Sequence, residues 1–288
     1  MEMRETLITP ATATTWLEGN THNRPVRDAT VKRYARDMKA GRWQLTHQGI
    51  AFGPEGELLD GQHRLWAIVT AETAVRMMVA RGVSPGVQAV IDDNMPRSAG
   101  DGLKLQYDTP TRAVEVAVAK WLASDQVRSR PSRQEVIETF LAHREAIGFA
   151  SRSFPRMLRG VTIAAVLTVL ARAWYSQDRD KLARFAEILA TGRLHSEAED
   201  VALMLRNWLI EGGTTRYQLG RDQAIYGKTE RALSAFLVGQ KLGLLYAASA
   251  ELFPLPSPVA PVPVAPIKAN GKPVGPRVNG HAVVRLRR

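Results

Sequence analysis

The sequence predicts an α+β unit over residues 1–105, an all-α unit over 106–251, and a disordered, proline-rich basic tail over 252–288. Three observations predict this division. Strand-like and helical patterns alternate within the first hundred or so residues, and helical spacing dominates from Thr109 onward. Residues 252–288 hold eight of the sixteen prolines.

In the first unit, Thr6-Leu7-Ile8-Thr9 reads as a strand stopped by Pro10, and residues 11–18 as a brief helix ended by Gly19-Asn20. A stronger helix begins at Asp28, its expected N-cap. Val31, Tyr34, Ala35 and Met38 then recur at i, i+3, i+4 and i+7, and Gly41 closes it. Residues 49–52 and 57–60 flank Gly53-Pro54-Glu55-Gly56, which is turn chemistry between two short strands and predicts a hairpin. Helical spacing resumes over 61–69, and β-rich runs follow over 75–83 and 87–91.

The second unit carries helical patterns over 109–124, 132–147, 160–175, 178–191, 196–211 and 229–250. Two of them start with capping boxes, Ser132 with Glu135 and Ser196 with Glu199, in which each side chain bonds the other residue's free backbone N–H. The tail has no acidic residue, one aromatic (Phe253) and six cations: Lys268, Lys272, Arg277, Arg285, Arg287 and Arg288. A segment so poor in buriable surface is expected to be disordered.

The formal charge of +11 and pI near 10.2 favour polyanionic partners, because cations clustered on a surface release the counterions condensed on phosphates. The absence of cysteine removes disulfides, thiolate catalysis and the usual structural zinc sites, and is compatible with a reducing cytoplasm. The amino terminus lacks the basic start and apolar run of a signal peptide. The longest apolar stretch, over 161–174, is interrupted by Thr162, Thr168 and Arg172 and is shorter than a membrane span. No membrane partner is expected.

The segment richest in chemistry is Leu58-Leu59-Asp60-Gly61-Gln62-His63-Arg64, a strand running through a glycine into a helix. The first N–H groups of a helix lack intrahelical partners and lie at the positive end of its dipole, so such a turn attracts anions. Gly61 permits close approach, the backbone of Gly61, Gln62, His63 and Arg64 would hold phosphate, Arg64 offers a planar fork to its oxygens, and His63 adds a second donor or a proton carrier. Asp60 would position a divalent cation such as Mg²⁺, or else simply cap the helix.

Gly61-Gln62-His63-Arg64-Leu65-Trp66-Ala67 resembles the G-[EQ]-[RH]-R-x-x-A box of the ParB/sulfiredoxin superfamily. Further motifs are similar to those of phage and prophage "ParB-like nuclease domain" proteins of actinobacteria. They are Asn23-Arg24-Pro25, Met38-Lys39-Ala40-Gly41-Arg42-Trp43, Gly49-Ile50-Ala51-Phe52, and Ile91-Asp92 with Arg97-Ser98. The resemblance covers about a third of the chain. It implies a ParB/sulfiredoxin-like fold for residues 1–105, a turn that holds nucleotide or DNA phosphate, ATP or CTP as a ligand, and the cytoplasm of a bacterial host. Sulfiredoxins carry a catalytic cysteine where this chain has Gln62, which excludes their reaction. Chromosome-partitioning ParB proteins carry Glu-Arg-Arg in the box and a second nucleotide motif that is absent here. The kinases of the superfamily require a glutamate near the amino terminus, for which Glu18 is the best-placed residue.

Asp92 and Asp93 could join Asp60 in a carboxylate cluster for metal-dependent phosphodiester or NTP hydrolysis, with Asp60, His63 and Asp92 as its catalytic residues, or could be ordinary turn residues. Arg24, Arg27, Lys32, Arg33, Arg36, Lys39 and Arg42, set against Asp28 and Asp37, give residues 20–43 a charge of +5 and form the expected DNA-tracking face. Trp43 and Trp66 are expected in the core. Residues 212–228 interleave Arg216, Arg221 and Lys228 with Tyr217 and Tyr226, as a base-stacking loop or an ordinary interhelical loop would. His143 and His195 read as structural. The expected activities are DNA-associated phosphate binding with nuclease or NTPase chemistry, an ATP-dependent phosphotransferase, or a non-catalytic DNA-binding or host-interaction factor.

Overall fold

The computed structural model describes residues 1–20, 23, 25–84, 98–126, 130–154, 157–212 and 221–256. The strand expected at 87–91, the candidates Arg24, Asp92, Asp93 and Arg97, the loop residues Arg216 and Tyr217, and the chain from residue 257 lie outside them.

The chain begins with β1 (Glu2–Ile8) and α1 (Pro10–Glu18), whose start is fixed by Thr9: its hydroxyl accepts the Thr12 N–H at 3.1 Å. Next come α2 (Asp28–Lys39), the hairpin of β2 (Ile50–Phe52) and β3 (Leu58–Asp60), α3 (Gln62–Ala71) and β4 (Val75–Arg81). The four strands form one mixed sheet in the order β1-β4-β2-β3. β1 pairs antiparallel with β4, from Glu2 opposite Arg81 to Ile8 opposite Val75, and β2 runs parallel to β4 with Ile50 opposite Val79. Along β4, Val75, Met77 and Val79 are buried while Arg76 between them is exposed, so one face of the sheet is covered. These valines and Met77 join Ile8, Val31, Met38, Ile50, Phe52, Leu65 and Ile68 in one apolar cluster between sheet and helices.

A second cluster fills the helical part: α4 (Ala99–Tyr107), α5 (Ala113–Gln126), α6 (Arg133–Ala142), α7 (Arg144–Arg152), α8 (Ala164–Ala173), α9 (Arg179–Thr191), α10 (Asp200–Ile210) and α11 (Arg221–Leu237). All of α8 from Ala165 to Ala173 is buried, which accounts for its near-continuous apolar sequence. Among the described residues no helix is long and apolar enough to cross a membrane.

Several boundaries differ from the sequence expectation. α4 crosses residue 105, and its Leu103 packs in the second cluster. The helix expected over 132–147 is divided at His143 into α6 and α7. The Ser132–Glu135 capping box is present, with Glu135 N–H to Ser132 Oγ at 3.1 Å and Ser132 N–H to Glu135 Oε2 at 2.6 Å. At Ser196 no hydroxyl cap forms. Glu199 instead accepts the His195 N–H and two bonds from Arg184 at 2.8 Å, and α10 starts only after a 3₁₀ turn over Glu197–Glu199. The helix expected over 229–250 ends at Leu237. Gly239 adopts φ +69°, and the Gly239 and Gln240 N–H groups return to Phe236 and Ala235 oxygens, a Schellman stop.

Candidate phosphate-binding cleft

The β3–α3 turn is held by its own residues. Gly61 has φ +103°, and a Cβ there would lie 2.5 Å from Ile50 Cδ1 and 3.2 Å from the Gly49 carbonyl oxygen, so only glycine fits without displacement. Asp60 Oδ1 accepts the Gly61 N–H at 2.6 Å, while Oδ2 accepts Arg64 Nη1 at 3.1 Å. The same Nη1 donates to the Gly49 carbonyl at 2.8 Å. Arg64 is thus anchored on one side, and its Nε and Nη2 make no bond to the described residues.

Gln62 points inward. Its side chain is buried and its Oε1 accepts Asn20 Nδ2 at 3.1 Å; Asn23 Nδ2 in turn donates to Asn20 Oδ1 at 2.7 Å and to the Leu58 carbonyl at 2.6 Å. This side-chain amide ties the α1–α2 connection to the start of α3. Polar side chains near the box carried this possibility in the sequence, but only the fold reveals which way Gln62 turns.

His63 reaches the next helix, where its Nε2 accepts the Arg27 N–H at 3.0 Å. In that bond Nε2 is the acceptor, so a donor role toward phosphate would fall to the other ring nitrogen. The N-cap of α2 is Arg27, not Asp28, which occupies the first helical position. Neither α2 nor α3 has a side-chain N-cap bond.

Both uncapped ends face one cleft of about 220 Å³, lined by Arg27, Thr30, Arg33, Tyr34, Asp60, Gly61, His63 and Arg64. Three arginines, two helix N-termini and one carboxylate already paired with Arg64 make its interior electropositive. Tyr34, which the sequence placed only on a helical stripe, and Thr30, which the sequence analysis did not single out, also line it. Comparison with protein-family models, curated proteins and solved structures finds no match to this chain.

The expected basic face divides in two. Lys32 and Lys39 are exposed, and Arg27 and Arg33 line the cleft. Arg36 and Arg42 are instead spent on α6: Arg36 reaches Glu135 at 3.0 and 3.2 Å and the Arg130 carbonyl at 3.1 Å, and Arg42 bonds Asp37 at 3.0 Å and Glu135 at 3.1 Å. Ser132 Oγ adds a bond to Asp37 Oδ1 at 2.9 Å. Burial pushes the Glu135 carboxyl up, but bonds from Arg36 and the Ser132 N–H and the charges of Arg36 and Arg42 outweigh it and hold the group below its ordinary value. Charge counting cannot see this use, because the acceptors lie about a hundred residues further along the chain.

Of the carboxylates in the expected metal site only Asp60 is described, and both its oxygens are engaged, one by the Gly61 N–H and one by Arg64; Asp92 and Asp93 lie outside the described residues, among which no group of three metal-ligating side chains occurs. Glu18 is exposed at the end of α1 and does not line the cleft. Trp43 packs edge-on to Tyr34 beside the first core, whereas Trp66 is 39% exposed rather than buried. Tyr226 stacks on Trp121 within the helical unit, and Lys228 lies over Trp208, so neither is presented to bases. His143 Nδ1 meets the Tyr175 hydroxyl at 2.6 Å; burial lowers the His143 pKa.

Proposed function

We propose that the protein is a ParB/sulfiredoxin-like, DNA-associated factor that holds a phosphate group between the amino termini of α2 and α3. The observation that carries this reading is the convergence of Arg27, Arg33 and Arg64 on one cleft whose two helix ends lack side-chain caps. Arg64, steadied by Asp60 and the Gly49 carbonyl, would direct its remaining donors at phosphate oxygens. Arg27 and Arg33 would supply charge from the facing helix, and the exposed Lys32 and Lys39 would extend the interaction along a nucleic-acid backbone.

A volume of about 220 Å³ is below the ~300–1,000 Å³ typical of pockets that engulf a whole small ligand. It suits a phosphate with its sugar, which favours the DNA backbone over a fully enclosed nucleotide. The reading is one of binding, since Asp60 acts as counterion to Arg64. Titrating labelled DNA, ATP and CTP into the wild type and Arg33→Ala tests it. DNA affinity should fall by about 1–2 kcal/mol in the variant. Equal affinities would remove the cleft from binding.

A further inference from the structure

The segment after α11 turns back and lies across α8 and α11. Ala248 N–H donates to the Gly227 carbonyl at 3.0 Å, Lys228 Nζ donates to the Leu245 carbonyl, and Leu245 and Phe253 are buried. A Cβ on Gly227 would stand 2.9 Å from Ala247 Cβ, so the segment rests directly on the α11 backbone. At its far end lies a polar cluster unrelated to the cleft. Arg172 of α8, itself buried, donates from Nε to the Phe253 carbonyl at 2.9 Å and from Nη2 to Glu251 Oε2 at 3.0 Å. The Tyr226 hydroxyl donates to the same Oε2 at 2.7 Å, and the Leu252 N–H donates to Glu230 Oε1 at 3.1 Å. The Glu230 and Glu251 carboxyls thus meet in one cluster, Glu230 on the Leu252 N–H and Glu251 on Arg172 and Tyr226.

Two carboxyls in contact cannot both hold full charge at low cost, and a carboxyl–carboxylate bond needs one proton between them. We propose that residues 242–256 form a strap held shut by one proton shared between Glu230 and Glu251, and that losing this proton releases the strap. In the closed form the Glu230 carboxyl donates to the Glu251 carboxylate, whose charge is balanced by Arg172. On opening, Glu230 enters water and its proton passes to solvent.

The groups facing Glu230 are Glu251 and the Leu252 N–H from the strap and Arg172 from α8; Tyr226 of α11 faces Glu251. Burial first, and then the bond to Glu251 and its charge, push Glu230 up to about 8. Burial also pushes Glu251 up, but the bonds from Glu230 and Tyr226 and the charge of Arg172 outweigh it and hold that group below its ordinary value. Burial and the bond to Glu251 raise Tyr226, so its hydroxyl stays a donor. The sign follows. Between the carboxylate range of the open strap and about pH 8, closure takes up one proton, so rising pH weakens it by as much as tenfold per unit, and above that the dependence levels off. Protonation of Glu251 weakens closure only well to the acid side.

Hydrogen exchange of the full chain from roughly pH 6 to 9, with each rate corrected for intrinsic exchange, tests this. Protection at Ala248, Leu252 and Phe253 should fall towards about pH 8 and then flatten, while α8 and α9 stay constant. Glu230→Gln, whose amide can donate to Glu251 without titrating, should keep the strap protected with no fall. A wild-type strap with flat protection would overturn the proposal without any variant being needed. A slope that persists unchanged in Glu230→Gln would overturn it as well.

Discussion

Asp60 at the end of β3 and Arg64 in the first turn of α3 are joined Oδ2 to Nη1 at 3.1 Å, and this pair sets both the charge and the geometry of the cleft. Asp60→Asn removes the negative charge while an amide oxygen can still accept the Gly61 N–H. Association with DNA should therefore tighten by about 0.5–1 kcal/mol, since a carboxylate near phosphate repels it. Fluorescence anisotropy at two salt concentrations measures this; weaker binding by the variant would return Asp60 to a direct ligand role.

Arg64→Ala acts on two levels. Binding should weaken by about 1.5–3 kcal/mol, the range for a charge-assisted bond to phosphate. Stability should also drop by roughly 1 kcal/mol, because the Gly49 carbonyl and Asp60 are each left without this donor. Thermal melts and binding isotherms on one preparation separate the two, and a stability loss with unchanged affinity would make Arg64 purely structural.

Gly61→Ala should cost about 2–4 kcal/mol, combining a positive φ with a Cβ driven into Ile50 and the Gly49 carbonyl. Chemical denaturation checks it. A loss under about 1 kcal/mol would show that the turn can rearrange.

Glu135 accepts from Arg36, Arg42 and its own capping box, so Glu135→Gln should destabilise the protein by about 1–3 kcal/mol at neutral pH. Because the folded-state pKa is depressed, this contribution is full above the ordinary carboxylate range and is lost as pH falls through the folded value. The variant should accordingly show a shallower acid-side decline in stability than the wild type, with urea midpoints across a pH series as the measurement.

Removing residues 257–288 deletes six cations and leaves Phe253 and its bond from Arg172 in place. The fold should persist. If the tail touches DNA, the slope of log affinity against log salt should flatten by up to ~0.9 for each phosphate that the tail neutralises. An unchanged slope would show that the tail does not contribute.

Much of this architecture was legible because it is written in local chemistry. The 53–56 turn announced the hairpin, the i, i+3, i+4 stripe announced α2, and Ser132 with Glu135 announced the start of α6. The turn at Gly61 was legible for the same reason. What the sequence concealed was partnership at long range. Arg36 and Arg42 read as part of a DNA-tracking face because nothing local points to Glu135, and nothing local shows that the Gln62 side chain turns inward to Asn20. The Schellman stop at Gly239 was a local signal overridden by the apolar pattern continuing past it.

α2 runs from the cleft to the helical unit. Its first turns carry Arg27, Thr30, Arg33 and Tyr34, and its last turns carry Arg36 and Asp37, pinned to the start of α6. At 12 residues it is a rod of about 18 Å. A tilt of about ten degrees around the pinned end would swing the far end by roughly 3 Å, a full hydrogen-bond length at the arginines. Any load that shifts α6 is thus delivered to the cleft by leverage, and a fragment cut near residue 105 would keep the packing of Val31 and Met38 but lose the pin to Glu135 and Ser132.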